Sequence, residues 1–247
     1  MSTAFAATAD RVENRHHIVH DTRLRDWLLF ALTVSSGAVD AISFLALGRV
    51  FTAFMTGNIV FLGMGIARDA SAPSIVAVLA SMAGFGLGSY LATVIVRPED
   101  SATVVWPFRT TCALAISLLP HLCFVVVWMK IGGRPGHGAT VALLAAWALA
   151  MGMQSAAVRR LNVGGIFTTA ATATVIFFAG AFAQPVTGEE RHRLFGVLAS
   201  LLIGATAGAL LHFHAPLYAP LFPFVITLTV VTVAAKAFGY CDDYSFR

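Results

Sequence analysis

Long unbroken apolar runs separated by short polar links make up this chain, with little alternation of apolar and polar positions. Eight runs can be read, at 27–47, 50–67, 74–96, 110–129, 139–157, 165–183, 193–213 and 219–237. Most hold about 18–23 residues, enough for a helix rising ~1.5 Å per residue to cross a ~30 Å hydrocarbon layer. Strands of a membrane barrel would alternate over about ten residues, and no such pattern is present. The links at 68–73, 97–106, 130–138 and 184–192 leave no room for a soluble catalytic domain. The expected fold is an all-α polytopic membrane protein. Its membrane domain covers 26–238, between a basic cytoplasmic tail at 1–25 and a short tail at 239–247.

The second and sixth runs differ from the rest. Phe51-Thr52-Ala53-Phe54-Met55-Thr56-Gly57-Asn58 and Phe167-Thr168-Thr169-Ala170-Ala171-Thr172-Ala173-Thr174 share a pattern at an offset of 116 positions. The same offset carries the small stripe Ala80, Gly84, Gly88, Ala92 onto Gly196, Ser200, Gly204, Gly208. Spacing by four keeps each stripe on one helix face, where small side chains let two backbones approach closely. The pattern predicts an internal duplication of four runs per repeat, at about 26–130 and 139–238, with a polar second run in each. That run either crosses as a polar-faced helix or is a broken, re-entrant element. The first choice gives eight crossings and parallel repeats, the second six crossings and inverted repeats. Lys and Arg divide 11 to 5 across the membrane with eight crossings and 12 to 4 with six. Both divisions place the N-terminus in the cytoplasm, and neither selects the crossing number.

Composition removes other classes. Apolar residues make up 58% of the 247 positions, charged residues only 11%, and mean hydropathy is +0.81. A soluble domain needs about 25% charge to wet its surface, so most of this surface faces hydrocarbon. The lipid bilayer is the expected partner. The net charge of +4 belongs to loop Lys and Arg and implies no nucleic acid. The first apolar run is too long for a cleaved signal peptide. Cys112, Cys123 and Cys241 show no metal or disulfide spacing, and no P-loop, dinucleotide fingerprint, H-E-x-x-H or nucleophile elbow occurs. No cofactor, metal or enzymatic activity is expected.

Polar residues inside the apolar runs are the candidates for chemistry. Asp40 lies two-thirds along the first run, flanked at helical spacing by Thr33, Ser36, Gly37 and Ser43. A carboxylate facing lipid costs at least ~2.5 kcal/mol, so this face must point inward. Asp40 is either a proton or cation site or a buried acid paired with Arg49, Arg159 or Arg160. Gln154 occupies the corresponding place in the second repeat, keeping polarity without charge. Thr56, Gly57 and Asn58, with Thr168 and Thr172 in the other half, could present hydroxyls, an amide and bare backbone to a small polar solute or ion. Backbone freed by a helix break is tolerated at membrane depth only where it lines a cavity or is buried in protein. The alternative is that the threonines bond back to their own helix while Asn58 bridges two helices. His212 and His214 read as interfacial residues.

Gly37-Ala38-Val39-Asp40-Ala41, Phe44-Leu45-Ala46-Leu47-Gly48 and Met55-Thr56-Gly57-Asn58 resemble the YoaK-like bacterial membrane proteins, known as domain of unknown function DUF 1275. Met151-Gly152-Met153-Gln154-Ser155-Ala156 and Thr168-Thr169 are similar to that family's second hallmark. The resemblance covers about residues 25–238. It implies a polytopic bacterial inner-membrane protein of about six spans, with no assigned substrate. The family usually has Gln-Asn-Ala where this chain has Gln154-Ser155-Ala156, and Thr-Gly-Thr where it has Thr172-Ala173-Thr174. The expected function is a small-solute or ion transporter or channel with its site between the repeats. The rival is a non-transporting membrane partner, sensor or assembly protein.

Overall fold

The computed structural model describes residues 2–96, 105–163, 171–183 and 187–238. These residues form eight helices and no strand: α1 (Ser2–Ala46), α2 (Met55–Ile66), α3 (Ile75–Ile95), α4 (Phe108–Lys130), α5 (His137–Arg159), α6 (Ala171–Gly180), α7 (Gly188–His214) and α8 (Leu221–Phe238). Six are long and apolar enough to cross a membrane, with Asp21–Ala46 as the spanning part of α1. The basic segment expected as a separate tail is continuous with α1 as helix. The two shorter helices, of 12 and 10 residues, reach only ~18 Å and ~15 Å at 1.5 Å per residue. Helix α2, whose two ends are both described, is too short to span ~30 Å of hydrocarbon.

Two clusters of buried side chains mark the two ends of the bundle. The first joins Leu28 and Leu32 of α1 to Val96 after α3, Leu114 of α4, Val158 of α5, Val197 of α7 and Ala234 of α8. The second joins Ile42 of α1 to Val78, Phe124, Leu144 and Ala219, with Leu211 packed against it. Following the chain between clusters, α1, α4 and α7 run one way and α3, α5 and α8 the other. Helix α1 ends and α3 begins at the second end, so α2 returns to the side from which it came. By the same reasoning α6, between the end of α5 and the start of α7, returns to the first end. Among the described residues six helices are candidates to cross the membrane.

Both short helices have their first described turn deeper in the bundle than their last. At α6, Thr172 lies with Leu201 and Ala205 from the middle of α7, while Phe178 reaches Phe195 near the start of α7 at 6.2 Å between ring centroids. At α2, Asn58 reaches Ser81 inside α3, whereas Gly65 packs against Ile75 at its start.

Glycine-mediated contact holds the long helices together. The most extensive packing is α3 on α5 and α1 on α7. A Cβ at Gly84 or Gly88 would run into the Ala145 or Leu149 carbonyl of α5. One at Gly204 or Gly208 would run into the α1 backbone at Val34 or Ala38. The small stripes therefore sit at the closest helix crossings, where lipid-excluding van der Waals contact supplies the association energy. An ion pair between Asp26 and Arg193, 3.0 Å apart, ties α1 to α7 near the first end.

Candidate functional site

The chain reverses after α1 through Gly48 and Arg49, with φ of 81° and 63°. Positive φ is cheap for glycine and uncommon for other residues, so the turn bends most readily at Gly48. The following extended segment, Val50 to Phe54, leads back toward α2. A segment of this kind carries unpaired backbone groups, which inside a membrane must be satisfied by protein. Two side chains do this.

Asp40 reaches across from α1. Its Oδ1 accepts the Thr52 and Ala53 amides at 2.9 and 2.8 Å and faces the Thr52 hydroxyl at 3.5 Å. The Phe54 amide also turns toward the carboxyl. Phe54 is the N-cap of α2 and its own side chain caps nothing. The acid thus ties the segment that leads into α2 to α1, with its charge just ahead of the helix N-terminus, where the macrodipole favours it.

Asn58 performs the second task. Its Oδ1 accepts the Phe51 amide at 3.0 Å, and its Nδ2 donates to the Phe51 carbonyl at 2.7 Å and toward Ser81 Oγ at 3.4 Å. Ser81 Oγ also donates to the Phe51 carbonyl, at 2.6 Å. Asn58 is fully buried, and both ends of its amide are engaged. It clamps one peptide unit and reaches no cavity.

Beside Asp40 a cavity of about 550 Å³ opens between α1, the extended segment, α6 and α7. Ser36, Asp40 and Thr172 are the polar residues along it, and Phe44, Phe51 and Phe54 form much of one wall. The Ser36 hydroxyl is 1% exposed and has no hydrogen-bond partner. A buried hydroxyl without a partner carries a desolvation cost of about 1–3 kcal/mol, and this one is shut off from the cavity by the atoms around it.

The remaining sequence candidates separate from this place. Thr56 is exposed on the first turn of α2, and Gly57 packs against the Phe51 and Phe54 rings, with no room for a Cβ. Gln154 is buried and donates to the Leu32 carbonyl at 3.1 Å, leaving its Oε1 unpartnered. It joins α5 to α1 away from the cavity. Thr168 lies outside the described residues. Arg49 and Arg159 are exposed, and neither they nor Arg160 form an ion pair with Asp40 among the described residues. Amides take the place of the expected arginine, because the extended segment brings its N–H groups within reach first. Asp40 and Thr172 thus meet at the cavity, whereas Asn58 and Gln154 are packed dry.

His121 had no sequence reading. It is fully buried in α4 between Trp147 and Phe224, with both ring nitrogens unpartnered. Its one signal was a polar ring after Pro120 in an otherwise apolar run. The aromatic wall was also missed, since phenylalanines in a membrane segment read as lipid contacts.

Relatives agree with this architecture. The chain is 34% identical to the UPF0700 transmembrane protein YoaK of Bacillus subtilis (strain 168) over 151 residues, which span 61% of this chain and 64% of that protein. The chain thus covers less than two-thirds of that relative's length. No solved structure matches. The family model for a protein of unknown function, DUF1275, matches residues 28–234, from the first membrane-spanning helix to the last. With nearly the whole membrane domain inside that match, this multi-pass membrane protein belongs to the DUF1275 family.

Proposed function

We propose that this protein is a small-solute or ion transporter or channel whose site is the cavity beside Asp40. The observation carrying this reading is a carboxyl, with no cationic partner among the described residues, that lines a cavity between α1, α6 and α7 beside the start of the half-helix α2. Half-helices of this kind place backbone dipoles at membrane depth without exposing them to lipid.

The reading includes two inverted repeats, α1–α4 and α5–α8. Their supports are the 116-residue offset, the exchange of partners (α1 with α7, α5 with α3) and the opposite directions of α1 and α5. It also places the N-terminal end in the cytoplasm of a bacterium, at the inner membrane, because Lys and Arg divide 12 to 4 in its favour. We read the protein as a non-enzyme.

Reconstituted protein should move one member of a panel of small cations, anions and neutral polar solutes across liposomes. Asp40→Asn should lower that flux by about tenfold or more while leaving the protein folded, which corresponds to a charge interaction of ~1.4 kcal/mol. Unchanged flux in a folded Asp40→Asn protein would remove Asp40 from the pathway.

The dry packing of Asn58 and Gln154 favours a second reading, a non-transporting partner or assembly protein with a polar framework. Co-purification with a fixed partner, together with no flux for any solute in the panel, would select it.

A further inference from the structure

From the chemistry of the cavity walls we infer its ligand class: a small organic cation with an apolar body, bound with its ammonium group at Asp40. This deepens the transport reading and rests on its assignment of the site.

The first argument is charge. Asp40 meets three amides and one hydroxyl, and no Lys, Arg or His side chain forms an ion pair with it among the described residues. Buried carboxylates normally find a cationic partner, because dipoles alone compensate a full charge incompletely. A ligand cation would complete the pair. The N-terminus of α2, which lies beside the carboxyl, contributes about half a positive charge spread over several amides. The carboxylate is a full charge on two atoms, so an anion placed beside it is repelled more than the helix end attracts it.

The wall is the second argument. Phe51 stacks on Phe44 at 5.0 Å and on Phe61 at 5.9 Å between centroids and meets Phe54 edge-on at 5.2 Å, so the ring faces offered to a ligand are those of Phe44 and Phe54 rather than Phe51. Aromatic faces attract a cation within ~6 Å by about 0.5–2 kcal/mol, more as water is excluded. Leu45, Val175 and Leu201 complete an apolar lining suited to a hydrocarbon body.

Oxygen count is the third. A bare metal cation such as Ca²⁺ takes about 6–8 oxygen ligands. Among the described residues that line the cavity, only Asp40, Ser36 and Thr172 carry side-chain oxygens, and that of Ser36 is buried. The space of about 550 Å³ instead falls within the ~300–1,000 Å³ of small-molecule sites.

The test uses the full chain in lipid nanodiscs and three probes sharing one aromatic body: benzyltrimethylammonium, benzyl alcohol and phenylacetate. Calorimetry should show the cation binding about tenfold or more tightly than the other two. Asp40→Asn should erase that preference, and Val175→Trp, which fills the cavity from an exposed position on α6, should remove binding of all three. Equal binding of the three probes, or a preference for phenylacetate, overturns the inference. So does a Val175→Trp protein that binds the cation as the wild type does, an outcome readable even if Asp40→Asn fails to fold. Cation binding with no flux for any solute sinks the transport reading and leaves this inference standing. Flux of another solute without cation binding does the reverse.

Discussion

Asp40 and Asn58 are both polar residues in apolar runs, and both hold the extended segment before α2. Their environments nonetheless assign them different work. Asn58 spends its whole amide on protein: both polar groups of Phe51 and the Ser81 hydroxyl. Nothing is left over for a ligand, and no solvent reaches it. Asp40 gives Oδ1 to the same segment, yet its side chain is half-buried and lines the cavity. A polar residue at membrane depth is thus a functional candidate only to the extent that the fold leaves it unsatisfied or open. Gln154 is intermediate, with one end bonded and the other unpartnered in a dry interior.

The sharpest test of this contrast is Asn58→Leu. It strips the Phe51 amide of its acceptor inside the bundle, and a buried unpaired amide costs about 1–3 kcal/mol. Thermal unfolding in lipid nanodiscs should register a clear loss, with any remaining folded protein still binding at the cavity. A stable Asn58→Leu protein with lost binding would reverse the roles assigned to the two residues.

Asp40→Asn should cost less stability, about 1 kcal/mol, because an amide oxygen still accepts the Thr52 and Ala53 amides and only charge assistance is lost. Its main effect should fall on flux and cation binding. Equal stability losses in Asn58→Leu and Asp40→Asn would make the acid a structural tie and nothing more.

Ser36→Ala should be the mildest. Removing a buried hydroxyl that has no partner should leave the melting temperature unchanged or slightly raised, by an amount equivalent to ~0.5 kcal/mol or less. A marked destabilisation would mean that Ser36 serves the packing of α1.

Much of the fold was legible in residue order. The eight runs, the basic first segment and the small stripes all carry local signals, and the stripes fall at the close crossings of α3 with α5 and α7 with α1. Asp40 stood out because an acid in a 21-residue apolar run is costly unless sheltered. Its partners did not stand out. Three arginines looked like the natural counter-ions, and the groups that bond it are plain backbone amides of Thr52 and Ala53, which every sequence contains. The cavity was invisible for a related reason, since Phe44, Phe51 and Phe54 are indistinguishable from lipid-facing residues by hydropathy.

Sequence alone determined that the chain lives in a membrane, that its elements are helices, and which faces would meet. Each of these follows from hydropathy and side-chain size, quantities that sum along a short window. Only the tertiary structure decided that the second of the eight runs is a half-helix too short to cross, that Asn58 clamps a peptide, and that Asp40 opens onto a cavity shared with Thr172. Those outcomes depend on depth and on hydrogen-bond partners. Depth is set by which helices pack together, and the partners lie far apart in the chain, as Ser81 lies from Phe51 and Thr172 from Asp40.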